Sequence, residues 1–319
     1  MEANSLNQSR YNVGIDIGGT KVNIGIVTKE GIIIDKIKIS SAGSHKVESF
    51  VKQIIDDLIE LTNINNILMN EIDFIGIGVP GTVNMKAGIV EYCPNLLWEN
   101  IPLLEYFKKY IPNTTIKVIQ DSWAGAIAEH GFGAGIGFSN MVCITLGTGI
   151  GGGIISQDKI FEGGMHSAGE IGHIVVQKDG RECICGNHGC LERYASGNGI
   201  FEQAYELFPE KFKDKSLNSE TVFALAYEGY QPALDLVDNS VRMLAIGLAN
   251  MVGILSIEAI IISGGLCEHE DLIIKPLQQY IVDYGYYTWT RQKHLQVKTA
   301  QLGGDAPMLG AAFIYKDMV

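Results

Sequence analysis

Residues 16–34 read DIGGTKVNIGIVTKEGIII, and residues 146–161 read LGTGIGGGIISQDKIF. Both follow one plan: a glycine turn closing a preceding apolar run, a second apolar run, a polar turn, then a third run. The first copy predicts strands over 12–17, 22–27 and 32–39, around Gly18-Gly19-Thr20 and Lys29-Glu30-Gly31. The second predicts strands over 141–146 and 151–156 around Gly147-Thr148-Gly149, with Ile160-Phe161 beyond the polar turn Gln157-Asp158-Lys159. Such a repeat implies an internal duplication into two related α/β domains. Each would offer a glycine-lined turn to the cleft between them, a favoured place for a ligand.

One such turn alone is an ordinary hairpin. Two in repeated context point instead to backbone N–H groups gathered around an anion such as phosphate. Gly147 to Gly152 also fits G-x-G-x-x-G, with Glu170 at the distance of a ribose-binding acid. A dinucleotide fingerprint must open a helix, however, and GGGIISQDKIF reads as strand and turn. Asp16 ends the first strand, with Thr20 and Lys21 just beyond the glycines. A carboxylate there can hold Mg²⁺ through water while a hydroxyl and an ammonium meet phosphate oxygens, although Asp16 is equally an ordinary turn residue. Ser263-Gly264-Gly265, after a buried strand, suits the adenosine end of a nucleotide.

Strands and helices alternate along the rest. A helix is predicted over 47–61, where Val51, Ile54, Ile55, Leu58 and Leu61 share a face. A strand over 74–79 closes at Pro80-Gly81, and a strand over 116–119 feeds a helix over 122–129. Helices follow at 198–207, 220–229 and 232–255, then a strand at 259–263, a helix at 272–284, a strand at 295–299 and a last helix at 307–315. The repeat sets the division at residues 1–120 and 121–305, with the terminal helix, about 306–319, crossing back to the first domain.

Hydrophobic residues make up 46% of the 319, charged residues 19%, and the net charge is −12. That composition builds a sizeable core and excludes a phosphate-binding basic face, so no nucleic-acid partner is expected. The apolar stretch 247–266 approaches membrane-span length, but Asn250, Ser256, Glu258 and Ser263 interrupt it, and a buried glutamate costs several kcal/mol in lipid. It reads as the end of a helix followed by a strand, and no membrane segment is expected. The polar start MEANSLNQSR has no apolar signal core, which predicts a cytoplasmic protein with reduced thiols.

Residues 163–197, GGMHSAGEIGHIVVQKDGRECICGNHGCLERYASG, place His173, Cys183, Cys185 and Cys190 at metal-ligand spacing. A Cys₃His set suits tetrahedral zinc, and four protein ligands make the site closed and structural. The alternative is a disulfide or a chance cluster. A zinc knuckle would bring Glu170 and Glu192 near the ion, where they could accept hydrogen bonds from a polyhydroxylated ligand; otherwise they are solvated acids. His173 could ligate through one nitrogen and offer the other to the same ligand. Asp121 sits between a strand and a helix, as a helix cap or as a carboxylate projecting into the cleft.

Together, DIGGTK at 16–21, GIGVPGTVN at 76–84, LGTGIGGG at 146–153, GEIGH at 169–173, CICGNHGCLE at 183–192 and SGG at 263–265 resemble the ROK family of sugar kinases and sugar-responsive repressors. That family lies within the actin-like ATPase superfamily, and the likeness runs over about 13–312. It implies two ribonuclease-H-like domains that close on ATP and a sugar, usually as a homodimer. It further implies an ATP-dependent hexose kinase acting at C6, with glucose first and N-acetylmannosamine, N-acetylglucosamine, allose or fructose as alternatives. By this resemblance Asp121 is the base, and Gly81, Gln120, Glu170, His173 and Glu192 meet the sugar. Asp16, Gly18, Gly19, Thr20, Lys21, Gly147, Thr148 and Gly149 serve the phosphates and Mg²⁺, and Gly264 and Gly265 the nucleoside. Where the family reads N-D-A-N-A-A, this chain has Gln120-Asp121-Ser122-Trp123-Ala124-Gly125, which keeps the base and alters its surroundings. A sugar-sensing repressor is the alternative of another class; such proteins carry an N-terminal helix-turn-helix, and here only residues 1–12 precede the first strand.

Overall fold

The computed structural model describes residues 10–213, 218–285 and 295–314. The expectations for the extreme N-terminus and for the end of the last helix beyond residue 314 fall outside them. Strands β1 (Tyr11–Ile17) and β2 (Lys21–Val27) form the first hairpin, and β3 (Ile33–Ser40) extends it. Inward and outward positions alternate along β3, the mark of a strand with one wet face. Helix α1 (Val47–Ile64) buries Val51, Ile54, Ile55, Leu58 and Leu61 on one face, and Phe50 beside them. Next come β4 (Ile72–Val79), the short strands β5 (Thr82–Asn84), β6 (Ile89–Cys93) and β7 (Trp98–Ile101), and helix α2 (Leu103–Lys108). Strand β8 (Thr115–Gln120) runs straight into helix α3 (Asp121–Phe132).

The second half repeats the hairpin as β9 (Asn140–Leu146) and β10 (Ile150–Ser156), followed by β11 (Lys159–Ile160). Helices α4 (Glu192–Ala195), α5 (Gly197–Leu207), α6 (Ser219–Tyr227) and α7 (Gln231–Leu255) lead to β12 (Ala259–Ser263). Helix α8 (Lys275–Tyr284), β13 (Gln296–Thr299) and α9 (Ala306–Ala311) complete the order. The stretch 247–266 divides between α7 and β12 at Ser256, whose φ of 51° ends the helix in a left-handed residue. Among the described residues no helix is long and apolar enough to cross a membrane.

Two units emerge. The first comprises Met1–Ile136, Asp158–Ala168 and Gly304–Val319, and the second Gly137–Gln157 and Gly169–Gly303. In the first, the mixed sheet runs β3-β2-β1-β4-β8, with β1 antiparallel to β2 and parallel to β4. In the second, β10-β9-β12-β13 repeats that pattern, with β9 antiparallel to β10 and parallel to β12. The two sheets therefore share one pattern of strand pairing around their glycine turns. Each unit has its own core: Ile15, Ile24, Ile54 and Ile77 lie in one, and Ile144, Phe223, Leu248 and Ile260 in the other.

The first unit reaches beyond the sequence-based division at residue 120. It includes α3, because α9 packs on that helix and on β1. Glycine makes the fit possible: a Cβ at Gly310 would stand 1.7 Å from the Ala124 carbonyl oxygen, and one at Gly14 would stand 1.8 Å from that of Met308. The sequence reading also passed over the three-stranded antiparallel sheet β5-β6-β7 and helix α2. Their runs of three to six residues are too short for either period to show.

Candidate functional site

In the first unit the pairing register decides which residues meet. Asp16 lies opposite Gly78, Gly78 opposite Ile119 and Val79 opposite Gln120. The parallel strands β1, β4 and β8 therefore end at one level, and Asp16, the Pro80-Gly81 turn and Gln120-Asp121 emerge at the same sheet end. In open α/β sheets this carboxyl end is where ligands bind. Asp121 is the first residue of α3, after Gln120 in extended conformation, and its Oδ1 accepts from the Ser122 backbone N–H at 2.7 Å. Gly81 has φ of 90°, and a Cβ there would stand 2.2 Å from the Tyr92 carbonyl oxygen, so only glycine lets the turn lie this close to β6. Beside it, burial pushes the Cys93 thiol up to about 11, with the Asp121 carboxylate adding to the effect.

The first glycine turn is held from its carbonyl side. The Gly18 N–H donates to the Lys21 carbonyl at 2.9 Å; Ser41 donates its hydroxyl to the Gly18 carbonyl at 2.6 Å and its N–H to that of Thr20 at 3.1 Å. Gly19, Thr20 and Lys21 themselves are exposed. Asp16 is half-buried, and burial raises its pKa above the ordinary carboxylate value although a hydrogen bond from Asn23 works the other way. That bond runs from Asn23 Nδ2 to Asp16 Oδ2 at 2.9 Å, while Asn23 Oδ1 is buried with no hydrogen-bond partner. A buried, unpaired amide oxygen next to a carboxylate is a donor set for a hard, hydrated cation such as Mg²⁺. The sequence reading missed Asn23. Its position was legible, because the register of a hairpin closed by Gly18-Gly19 puts it opposite Asp16. It also missed Asn95, whose Cβ lies 3.4 Å from where a Cβ on Gly19 would be.

In the second unit β9 and β12 end together, Thr145 opposite Ser263. The turns after them touch: Gly264 has φ of 98°, and a Cβ there would stand 2.2 Å from the Leu146 carbonyl oxygen. Gly265 begins a short 3-10 turn over Gly265–Glu268. The carbonyls of Gly147 and Thr148 accept from the N–H groups of Gly197 and Asn198 at 2.8 and 3.2 Å, so this turn too is gripped by its carbonyl side. Gly149 leads into β10, a strand, which removes the dinucleotide reading. Glu192 opens α4, and its Oε2 accepts from the Ile150 N–H at 2.8 Å. This acid is therefore no freely solvated side chain, since one oxygen braces the glycine turn. Glu170 is exposed and precedes the 3-10 turn Ile171–His173, where the His173 N–H returns to its carbonyl at 3.0 Å.

The four metal-ligand candidates converge. The ligand atoms of His173, Cys183, Cys185 and Cys190 all lie within 4.8 Å of one another. Cys183 Sγ is 3.6 Å from His173 Nδ1, and Cys185 Sγ is 3.6 Å from Cys190 Sγ. A zinc tetrahedron with ordinary bond lengths has S···S edges of about 3.8 Å and S···N edges of about 3.6 Å. The donor set and its spacing therefore fit that ion. The knuckle is folded by its backbone: Cys183 N–H donates to the Asn187 carbonyl at 2.8 Å and Gly186 N–H to that of Cys183 at 2.9 Å. Burial pushes the Cys190 thiol up to about 12, and the Asn187 backbone N–H lowers that of Cys185. Arg181 holds Glu206 on α5 through two bonds of 2.7 and 2.6 Å, which ties the knuckle to that helix.

The sequence model of the ROK family matches residues 12–318. A glucokinase of Thermotoga maritima is 32% identical, with 96% of this chain and 98% of the relative covered. A xylose repressor of Bacillus subtilis is 30% identical, over 96% of this chain and 77% of the repressor. Among solved structures, a ROK family glucokinase from Streptomyces griseus in complex with glucose and AMPPNP is 32% identical and superposes with a TM-score of 0.77, covering 95% of this chain and 98% of that one.

Proposed function

The chain belongs to the ROK family, and from that premise we propose that it is an ATP-dependent hexose kinase that phosphorylates glucose at C6. The observation that carries this reading is the placement of Asp121: a carboxylate at the first residue of a helix, on the sheet end it shares with Asp16 and Gly81. A sensor needs a sugar pocket but has no use for a base so placed. Both the glucokinase relative and the glucose-bound neighbour support the substrate. The reading extends to the cytoplasm as the place of work, where the thiols of the knuckle stay reduced.

Phosphoryl transfer needs chiefly positioning and charge stabilisation. Asp121 takes the proton of the sugar hydroxyl as that oxygen attacks the γ-phosphorus and ADP departs. The sugar is held by Gln120 and the backbone at Gly81, and by Glu170, Glu192 and His173, whose acceptors match a polyhydroxylated ring. Glu192 contributes twice, since it also braces Gly149 through Ile150. The backbone N–H groups of Gly19, Thr20, Thr148 and Gly149 meet the phosphates, with the Thr20, Lys21 and Thr148 side chains alongside, while the N–H groups of Gly18 and Gly147 close their own turns, and Gly264-Gly265 lies against the nucleoside. Mg²⁺ would be held near Asp16 and Asn23 and would supply neutralisation of phosphate charge. Zinc on His173, Cys183, Cys185 and Cys190 would supply rigidity and no chemistry.

The test is ADP release by the purified protein with ATP, Mg²⁺ and each of glucose, mannose, allose, fructose, N-acetylglucosamine and N-acetylmannosamine. Glucose-dependent release exceeding that of the other five supports the reading. No sugar-dependent release from a folded, ATP-binding protein would leave the sensor in its place.

A further inference from the structure

Within the first unit, the short turn between β6 and β7 touches two other turns. At its start, Cys93 meets the Pro80-Gly81 turn: a Cβ on Gly81 would stand 3.1 Å from Cys93 Cα. Two residues on, Asn95 meets the first glycine turn, its Cβ 3.4 Å from where a Cβ on Gly19 would be. The segment Cys93-Pro94-Asn95 thus runs from one turn to the other, at the sheet end where Asp16 and Asp121 emerge. The Asp121 carboxylate acts on the Cys93 thiol, so the base lies on the same side.

This segment is firmly anchored. Pro94 opens the 3-10 turn Pro94–Leu96 with its φ preset, and Leu97 follows with φ of 58°. Leucine keeps such a left-handed conformation only where its surroundings dictate it. Leu96 and Trp98, on either side of it, are buried; the Trp98 Nε1 donates to the Ser44 carbonyl at 2.8 Å, and its ring meets that of Phe50 edge-on at 6.1 Å. Ser44 N–H in turn donates at 3.1 Å to the carbonyl of Ser41, the residue that grips Gly18 and Thr20. One chain of bonds therefore holds both the glycine turn and the segment beside it. Between these anchors Asn95 is exposed, and its amide makes no hydrogen bond among the described residues.

We propose that Asn95 is a further catalytic residue, whose amide N–H groups donate to the phosphoryl oxygens while that group passes from ATP to the sugar. The inference rests on the kinase reading, in which Gly19 meets the phosphates and Gly81 the sugar. A residue that bridges those two turns stands where the phosphorus moves. Charge on the transferred group is spread over its oxygens, and a donor fixed in advance stabilises that charge without forming or breaking a bond itself. An amide suits the place, because it donates without adding a charge that would have to be desolvated.

Asn95→Ala removes the donors, whereas Asn95→Asp keeps the shape and sets a negative charge against the phosphoryl group. Alanine should lower kcat by about 10²-fold and aspartate by more, with Tm and the Kd values of sugar and ADP near those of the parent. Aluminium fluoride, which mimics the phosphoryl group in transfer, should tighten ADP binding by the parent in calorimetry with Mg²⁺ and glucose. In either variant that tightening should be at least about tenfold smaller. A residue that only shapes the turn would tolerate aspartate, its near-isostere. An aspartate variant as fast as the parent would therefore overturn the proposal, as would undiminished tightening by aluminium fluoride. Should Asn95→Ala not fold, Asn95→Asp decides alone by the same two readouts. If the parent protein turns over no sugar, the kinase reading fails and this inference with it. If it turns over sugar and the variants keep its kcat, this inference fails alone.

Discussion

Cys185→Ser is the most informative single change in the knuckle. Cys185 is the exposed ligand of the four, so its removal leaves no core cavity and isolates the metal's contribution. Two ligand pairs already stand near tetrahedral spacing, 3.6 Å for Cys185 to Cys190 and 3.6 Å for Cys183 to His173, and all four ligand atoms lie within 4.8 Å of one another, so binding needs only a small rearrangement. A metal that binds only the folded chain stabilises it by about 4 kcal/mol when free zinc is a thousandfold above Kd. For a domain of this size, each kcal/mol moves Tm by roughly 2–4 °C, so loss of the ion should lower Tm by about 10 °C. Glu170 and Glu192, proposed to hold the sugar, flank the ligands in sequence, so sugar affinity should fall by about tenfold or more, as when groups supporting a metal site are removed. Metal analysis, calorimetric unfolding and sugar titration of protein purified without chelator measure all three. The expected values are about one zinc per parent chain and almost none in the variant. A parent protein without zinc would refute the reasoning, as would undiminished sugar affinity in the metal-free variant.

Gln120→Asn shortens the side chain by one methylene; the ratio of kcat/KM between competing hexoses should shift by more than about tenfold, or 1.4 kcal/mol, with the ATP KM unchanged. An unaltered ranking of the six sugars would show that selectivity lies elsewhere. Asp16 has its pKa raised by burial, so the metal-free native state loses stability as pH climbs through that raised value. Asp16→Asn, neutral throughout, should therefore show a higher Tm than the parent at pH 7.5 in EDTA, with the gap closing toward pH 4, while Mg²⁺-ATP turnover is abolished. A gap that widens on acidification would reverse the assignment.

Much of this was legible in the residues, and the reasons differ by element. Hairpins closed by Gly18-Gly19 and Gly147-Thr148-Gly149 announce themselves because glycine turns and apolar runs are local signals. Strand pairing then follows from the repeat. The four candidate metal ligands were legible because ligand chemistry restricts both residue type and spacing. What could not be read was long-range. Nothing local in Trp123 announces that its indole donates to the Ala168 carbonyl, 45 residues away, and nothing local in Glu192 announces Ile150, 42 residues away. Helix α3 belongs with the first unit because of α9, almost two hundred residues later in the chain, and no periodicity records that. Asn23 is the intermediate case, missed by a reading that followed charged groups and found by counting register from the turn.

The central claim is that Asp121 removes the proton from a sugar hydroxyl, and one comparison addresses it. Single-turnover formation of hexose 6-phosphate from ATP should be measured for the parent and for Asp121→Asn, with ATP and glucose affinities titrated on the same preparations. Asparagine keeps an oxygen that can accept from the Ser122 N–H, as Asp121 Oδ1 does at 2.7 Å, so the start of α3 is preserved. The variant's rate should be at least about 10²-fold lower, with ATP affinity within about twofold of the parent. Near-parental turnover by the folded, ATP-binding variant would contradict it.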